Sequence, residues 1–329
     1  MVFNKKRAED RKHWLENYDK NSFLDTSLLK VPYDNFFHKE MVHFSVYDCE
    51  RSIPNMVDGL KTSLRKILYC AFKRKLTTEV KVAQFSGYVS ENSAYHHGEA
   101  SLNGAIVNMA QNYVGSNNLN LLQPNGQFGT RLKGGEDSAS ERYIFTLLNP
   151  LTRYAFLDSD DSVLEYMDDD GQLVEPTFYV PIIPFCLVNG ISGIGTGFSC
   201  NIPSYNPLEL IEYLRNKLTG LTSTTIAFKP YFEGFKGTVK AVEDEPHKFL
   251  VKGVYETVDK DKDKILITEL PIGTWTMNYL TFLEDLIDGG DKKKKTATST
   301  AIVKDFVNMS TDIHVHITVQ LEKGKLAEL

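Results

Sequence analysis

A pair of amphipathic patterns narrows the possible folds most. Leu64, Ile67, Leu68, Ala71 and Phe72 recur at i, i+3, i+4, i+7 and i+8, and Leu102, Ile106, Met109, Ala110 and Tyr113 again keep helical spacing. Two such helices, joined through Val82-Ala83-Gln84 and Tyr88-Val89-Ser90-Glu91, fit a helix-turn-helix. Arg65, Lys66, Lys73 and Arg74 are left to the polar side of the first. Pro54 offers a further helix start that Asp58-Gly59 would end.

Past Gly115 the chain changes character. Pro124-Asn125-Gly126, Gly129 and Gly134-Gly135 punctuate a polar stretch too rich in glycine for a helix, which predicts a loop. Val180 to Asn189 is apolar but holds Pro181 and Pro184, so edge strands or an extended connection are expected there and a helix is not. Gly237 to Val242, Phe249 to Val251, Ile265 to Ile267 and Ile313 to Val319 read as strands, and Met277 to Ile287 as a helix. Lys292 to Lys295 read as a surface loop. The fold class expected is α+β: a helix-turn-helix domain followed by a mixed α/β domain. Before Phe23, Trp14 and Leu15 are the only strong hydrophobic pair, so that segment reads as a docking arm rather than a core. Lys323 to Leu329 reads as the start of a helix, and the chain as a fragment of a longer protein.

At 329 residues the chain is long enough for about two domains, and 42% apolar with 24% charged residues is ordinary globular composition. No apolar run reaches the roughly 18 to 20 residues of a membrane span, and no signal peptide is visible. Cys49, Cys70, Cys186 and Cys200 show no metal-ligand spacing and read as reduced thiols of an intracellular protein. The net charge of −6 does not by itself indicate a nucleic-acid partner, but its distribution is uneven. From Arg51 to Lys81 eight basic residues face two acidic ones; from Ala155 to Glu175 there are eight carboxylates and no Lys or Arg. The first block suits phosphate, and equally a solvated helix face.

Several residues could carry chemistry. A tyrosine nucleophile needs a base or a field favouring phenolate, and Arg142 supplies positive charge beside Tyr143. Tyr143 reads equally well as one of sixteen tyrosines in a core or rim, since the adjacency is not specific. His96-His97-Gly98-Glu99 precedes the second helix, where an anion is favoured. Adjacent histidines rarely direct both rings at one ion, which speaks against zinc. Gly193-Ile194-Gly195-Thr196-Gly197 superficially matches a dinucleotide fingerprint, but Asn201-Ile202-Pro203 follows where a helix is required. Asp168-Asp169-Asp170-Gly171 reads as a turn rather than a magnesium site.

Taken in order, nine motifs resemble one family: Arg51-Ser52-Ile53-Pro54-Asn55, Asp58-Gly59-Leu60-Lys61, Lys81-Val82-Ala83-Gln84, Tyr95-His96-His97-Gly98-Glu99, Gly115-Ser116-Asn117-Asn118, Gln127-Phe128-Gly129-Thr130-Arg131, Arg142-Tyr143-Ile144, Glu175-Pro176 and Asn189 to Gly197. In order and spacing they are similar to the DNA breakage-reunion region of eukaryotic-type (type IIA) DNA topoisomerase II. The resemblance implies a winged-helix domain followed by a tower domain, with residues 1–40 a linker after a TOPRIM domain, 41–180 the winged helix and 181–329 a truncated tower. It implies that Tyr143 is the nucleophile, that Arg142 stabilises the transition-state charge, and that Arg51, Lys61 and His97 group around the phosphate with His96 supporting them. Ile194 matches the family's intercalating isoleucine, with Gly193 and Gly195 letting backbone approach DNA. Arg65, Lys66, Lys81, Gln84 and Arg131 are the further DNA contacts implied.

Departures exist. Thr62-Ser63-Leu64 stands where the family has Pro-Gly-Gln, and the family's TOPRIM and ATP-binding motifs are absent. Mg²⁺ and ATP are therefore expected only outside this chain, which alone is expected to be inactive. The partners implied are double-stranded DNA, the TOPRIM and ATPase regions of the same enzyme, and a second copy in a homodimer; no membrane is expected. The location implied is nuclear, or host cytoplasm or viral factory for a viral source. The competing reading from another class is a non-catalytic winged-helix DNA-binding protein in which Tyr143 is structural.

Overall fold

The computed structural model describes residues 2, 4–221, 227–243, 245–258, 263–287 and 302–327. In chain order, α1 (Ala8–Glu16) and α2 (Tyr33–Phe36) come first, and a π-helical turn, Phe37–Met41, runs into α3 (Val42–Ser52). Then come α4 (Thr62–Lys73), β1 (Val80–Lys81), α5 (Val82–Asn92), α6 (Glu99–Ala110), β2 (Leu122–Asn125), β3 (Phe145–Leu148) and α7 (Thr152–Ala155). After a 3-10 turn at Asp158–Ser162 follow β4 (Tyr166–Asp169), β5 (Gln172–Pro176), α8 (Phe185–Val188), β6 (Ile191–Gly195) and β7 (Phe198–Ile202). The rest comprises α9 (Pro207–Leu218), β8 (Thr238–Val242), β9 (Glu245–Lys252), β10 (Val254–Thr257), β11 (Lys264–Glu269), α10 (Thr276–Ile287), β12 (Val303–Asn308), β13 (Ile317–Leu321) and a 3-10 turn at Lys325–Ala327.

The chain forms two compact units that interleave in sequence. One holds Met1–Lys75, Tyr88–Gly98 and Arg153–Ser204; the other holds Leu76–Gly87, Glu99–Thr152 and Tyr205–Leu329. Neither expected break, after residue 40 or after residue 180, coincides with a boundary between them.

In the first unit α4 buries Ile67, Leu68, Ala71 and Phe72. Phe72, Tyr179 and Phe185 surround Phe156, with ring centroids 6.4, 5.8 and 5.5 Å from it. Each such buried side chain contributes about 1.5–3 kcal/mol of hydrophobic stabilisation. The acidic stretch forms the β4–β5 hairpin, whose turn uses left-handed Asp170 and Gly171. The amino-terminal segment is not a bare arm: Trp14, Val2 and Val42 make a small core with Leu15, Tyr18, Phe37, Met41 and Val46 packed on it. No helix starts at Pro54. Residues 54–60 are a turn closed by Gly59 N–H donating to Asn55 O at 2.8 Å.

In the second unit β1 pairs with β3 and β3 with β2, all antiparallel. The succession α4, β1, α5, α6 and a closing hairpin is the winged-helix order. α5 was not foreseen, because its two halves read as connecting segments; Val82, Phe85 and Val89 recur at i, i+3 and i+7 and are fully buried. Farther along, a four-stranded antiparallel sheet, β10-β11-β13-β12, carries α10 on one face. Ile267, Leu270, Leu280, Leu283, Val303, Val315, Ile317, Val319 and Leu321 form the core there. The strand expected over Ile313 to Val319 begins only at Ile317, since Met309 to His316 make a tight turn with Met309 N–H donating to His316 O. Pro184 caps the short helix α8 where a helix was not expected, its ring and fixed φ being compatible with a helix start. Lys292 to Lys295 lie outside the described residues.

Candidate functional site

Tyr143 stands on a turn whose neighbours are held from both sides. Val82 N–H donates to Ile144 O at 3.0 Å, Ala83 N–H to Glu141 O at 3.1 Å, and Tyr143 N–H to Ser140 O at 2.9 Å. Ile144 is buried, while the Tyr143 side chain is 77% exposed. Arg142 is also exposed, its guanidinium 4.0 Å from the Glu141 carboxylate. A phenol on fixed backbone, open to solvent and beside an uncommitted guanidinium, is an accessible nucleophile with adjacent positive charge. Next to Arg142 a groove of about 670 Å³ runs along α6, lined among others by Glu99, Asn103, Asn108 and Gln111.

The other unit brings together a second cluster. Arg51, at the end of α3, is exposed, and Lys61 stands half-buried just before α4. His97 Nε2 lies 3.2 Å from Tyr47 Oη and its ring packs edge-on to Tyr95. Burial first, then the charge of Arg51, holds the His97 pKa below its ordinary value. His96 is exposed and faces Asp169, 3.3 Å away.

Ile194 projects from β6 of the β6–β7 hairpin and is 81% exposed. The hairpin is fastened to α3 and α1. Thr196 Oγ1 donates to Asp48 Oδ2 at 2.8 Å, and Arg11 Nε to Gly197 O at 3.0 Å. Neither Asp48 nor Arg11 stood out in the sequence, because their partners lie 148 and 186 residues away.

Five expected DNA contacts are committed inside the protein. Arg65 is buried and donates to both carboxylate oxygens of Asp58, at 2.7 and 3.0 Å, and to Leu60 O at 2.8 Å. Lys66 pairs with buried Glu175 at 2.8 Å and donates to Ser93 O. Arg131 is buried against Glu269. A Cβ on Gly193 would lie 2.2 Å from Ser52 O, and one on Gly195 3.1 Å from Cys49 Sγ, so these glycines let β6 approach α3. Lys81 and Gln84 are exposed, the ammonium of Lys81 lying 5.9 Å from the Phe145 ring centroid. Among the described residues no group of three or more His, Cys, Asp or Glu could hold a metal ion, and no helix is long and apolar enough to cross a membrane.

Residues 51–329 match the DNA gyrase/topoisomerase IV family, at its DNA-cleaving polypeptide, and residues 1–49 match the C-terminal associated domain of TOPRIM. The chain belongs to the DNA gyrase/topoisomerase IV family. DNA topoisomerase 2 of Arabidopsis thaliana is 52% identical over 288 residues, 87% of this chain and 19% of that protein. Mitochondrial DNA topoisomerase 2 of Dictyostelium discoideum is 44% identical over 332 residues, 100% of this chain and 24% of that protein. The crystal structure of the Plasmodium falciparum topoisomerase II DNA-binding, cleavage and re-ligation domain matches with a TM-score of 0.87 at 42% identity, over 100% of this chain and 43% of that one. The chain thus spans about a fifth of the length of these curated relatives. For this member of the gyrase/topoisomerase IV family, the junction between the two matched regions falls inside α3, so one helix belongs to both.

Proposed function

We propose that this chain is the DNA breakage-reunion part of a type IIA DNA topoisomerase, a nuclear enzyme that passes one duplex through a transient double-strand break. Tyr143 Oη attacks a backbone phosphorus in line. The bond to the 3' oxygen breaks, a 5'-phosphotyrosyl link forms, and the 3' oxygen leaves as a hydroxyl with the proton that the phenol gave up. Attack by that hydroxyl on the same phosphorus reverses the step, so religation needs no further energy source. Arg142 stabilises charge on the phosphorane, and Arg51, Lys61 and His97, with His96, contact backbone phosphate. Lys81 and Gln84 add contacts, and Ile194 wedges between base pairs. The winged helix carries Tyr143, and the later sheet with α10 belongs to the tower.

The reading rests on one observation above all: in a member of this family, an exposed tyrosine beside an exposed arginine sits on a turn fixed by main-chain hydrogen bonds. Partners are double-stranded DNA, the TOPRIM and ATPase regions of the same enzyme, and a second copy in a homodimer. Mg²⁺ and ATP belong to those other regions, since the described residues here do not fit a metal ion.

In the complete enzyme Tyr143→Phe removes one oxygen at nearly constant volume, so folding and DNA binding should persist while the covalent adduct disappears. Arg142→Ala should slow adduct formation by about 100- to 1000-fold without abolishing it. Denaturing gels of end-labelled DNA read both, and protein still linked to 5' ends in the Tyr143→Phe enzyme would overturn the assignment.

A further inference from the structure

The loop leading to Tyr143 has left-handed glycines at Gly126, Gly129, Gly134 and Gly135, with φ of +112, +95, +63 and +89°. Such a loop has much conformational freedom to lose when it is ordered. It is fastened internally, with Thr130 N–H donating to Asp137 at 2.9 Å and Ala139 N–H to Gln127 O at 2.8 Å. It is also fastened externally. Arg131, 7% exposed, donates through both terminal nitrogens to the two carboxylate oxygens of Glu269, 2% exposed, at the end of β11. That carboxylate is itself set by the main chain, accepting from the N–H groups of Leu270 at 3.0 Å and Lys236 at 3.3 Å. The N–H groups of Thr276 and Met277, which open α10 and lack intrahelical acceptors, donate to Arg131 O at 3.4 Å and Leu132 O at 3.0 Å. Trp275 covers Gly134 so closely that a Cβ there would stand 2.2 Å from its Nε1.

We infer that Glu269, acting through Arg131, is a positioning residue for strand cleavage: it fixes the loop from which Tyr143 reaches the phosphate. The inference rests on Tyr143 being the nucleophile. A buried ion pair adds little net stability, because desolvation of both charges offsets most of their attraction. What a two-pronged Arg–carboxylate contact supplies is direction. In-line attack is sensitive to direction, and a displacement of about 1 Å can cost about 100-fold in rate. The pair therefore acts on the rate of cleavage rather than on DNA affinity.

The test uses the complete enzyme and a short end-labelled duplex, and measures duplex Kd, single-turnover adduct formation at saturating duplex, and thermal unfolding. Glu269→Gln leaves Arg131 buried without its counter-charge and endangers folding. The decisive variant is therefore the double substitution Arg131→Met with Glu269→Leu, which replaces the pair with apolar chains of similar size. It should fold and keep its Kd, yet form the adduct about 100-fold more slowly. Arg131→Lys keeps the charge but not the fork, and should fall between the two. A folded double variant that cleaves at the unaltered rate, or whose loss lies wholly in Kd, overturns this inference and leaves the role of Tyr143 intact. Absence of adduct from the unaltered enzyme, or an adduct from Tyr143→Phe, overturns both.

Discussion

Ile194 and Tyr143 share an exposure that the fold does not require. Leaving an isoleucine 81% exposed on a hairpin forgoes about 1.5–3 kcal/mol of burial, and the hairpin is held by Thr196, Arg11 and the glycines facing α3 instead. A side chain that contributes nothing to its own domain is free to enter another molecule. Ile194→Ala should accordingly change the stability of the free protein by no more than about 0.5 kcal/mol, against about 2–5 kcal/mol for a buried isoleucine. Urea unfolding measures the first quantity and fluorescence transfer across a doubly labelled duplex measures bending, which should be largely lost. A large fall in stability with bending intact would return Ile194 to the core.

At the scale of elements, α4 shows why a polar helix face is not always a solvated one. Asp58, fully buried, accepts from Arg65, from Leu60 N–H at 2.8 Å and from Tyr179 N–H at 3.0 Å, tying α4 to the turn before it and to the segment after β5. Asp58→Ala would leave the buried Arg65 guanidinium without a counter-charge, and chemical denaturation should show a loss of about 3–5 kcal/mol. Periodicity made α4, α6, α10, β8 and β11 legible, because their apolar spacing is written locally. The roles of Arg65, Lys66 and Arg131 were not legible. A charge on a helix or loop reads as solvated until a carboxylate arrives from elsewhere, and Glu175 and Glu269 arrive from 109 and 138 residues away. Trp14 was misread for the same reason, its core partner Val42 lying on another helix. The motif carrying Tyr143 was legible through its resemblance to a family, whereas its exposure came from the pairing of Val82 and Ala83 with the flanks of the turn.

Over the whole molecule a net charge of −6 must approach a polyanion, so binding depends on which cations are free to meet phosphate. The Arg51 to Lys81 block overstates that number. Arg65 is spent on Asp58 and Lys66 on Glu175, while Arg51, Lys73, Arg74, Lys75 and Lys81 remain exposed. Each phosphate neutralised releases condensed counterions and adds about −0.9 to the slope of log K against log salt on duplex DNA. Arg51→Gln should therefore make the slope shallower by about 0.9, and by a similar amount on duplexes of unrelated sequence, since a phosphate contact carries no base information. Lys66→Gln should leave the slope unchanged and instead lower the melting temperature, because buried Glu175 loses the cation that compensates it. Fluorescence anisotropy titrations across a salt series would read both variants. A slope that shifts with Lys66→Gln and stays put with Arg51→Gln would mean that the internal pairs open on DNA and that the α3 end lies off the interface.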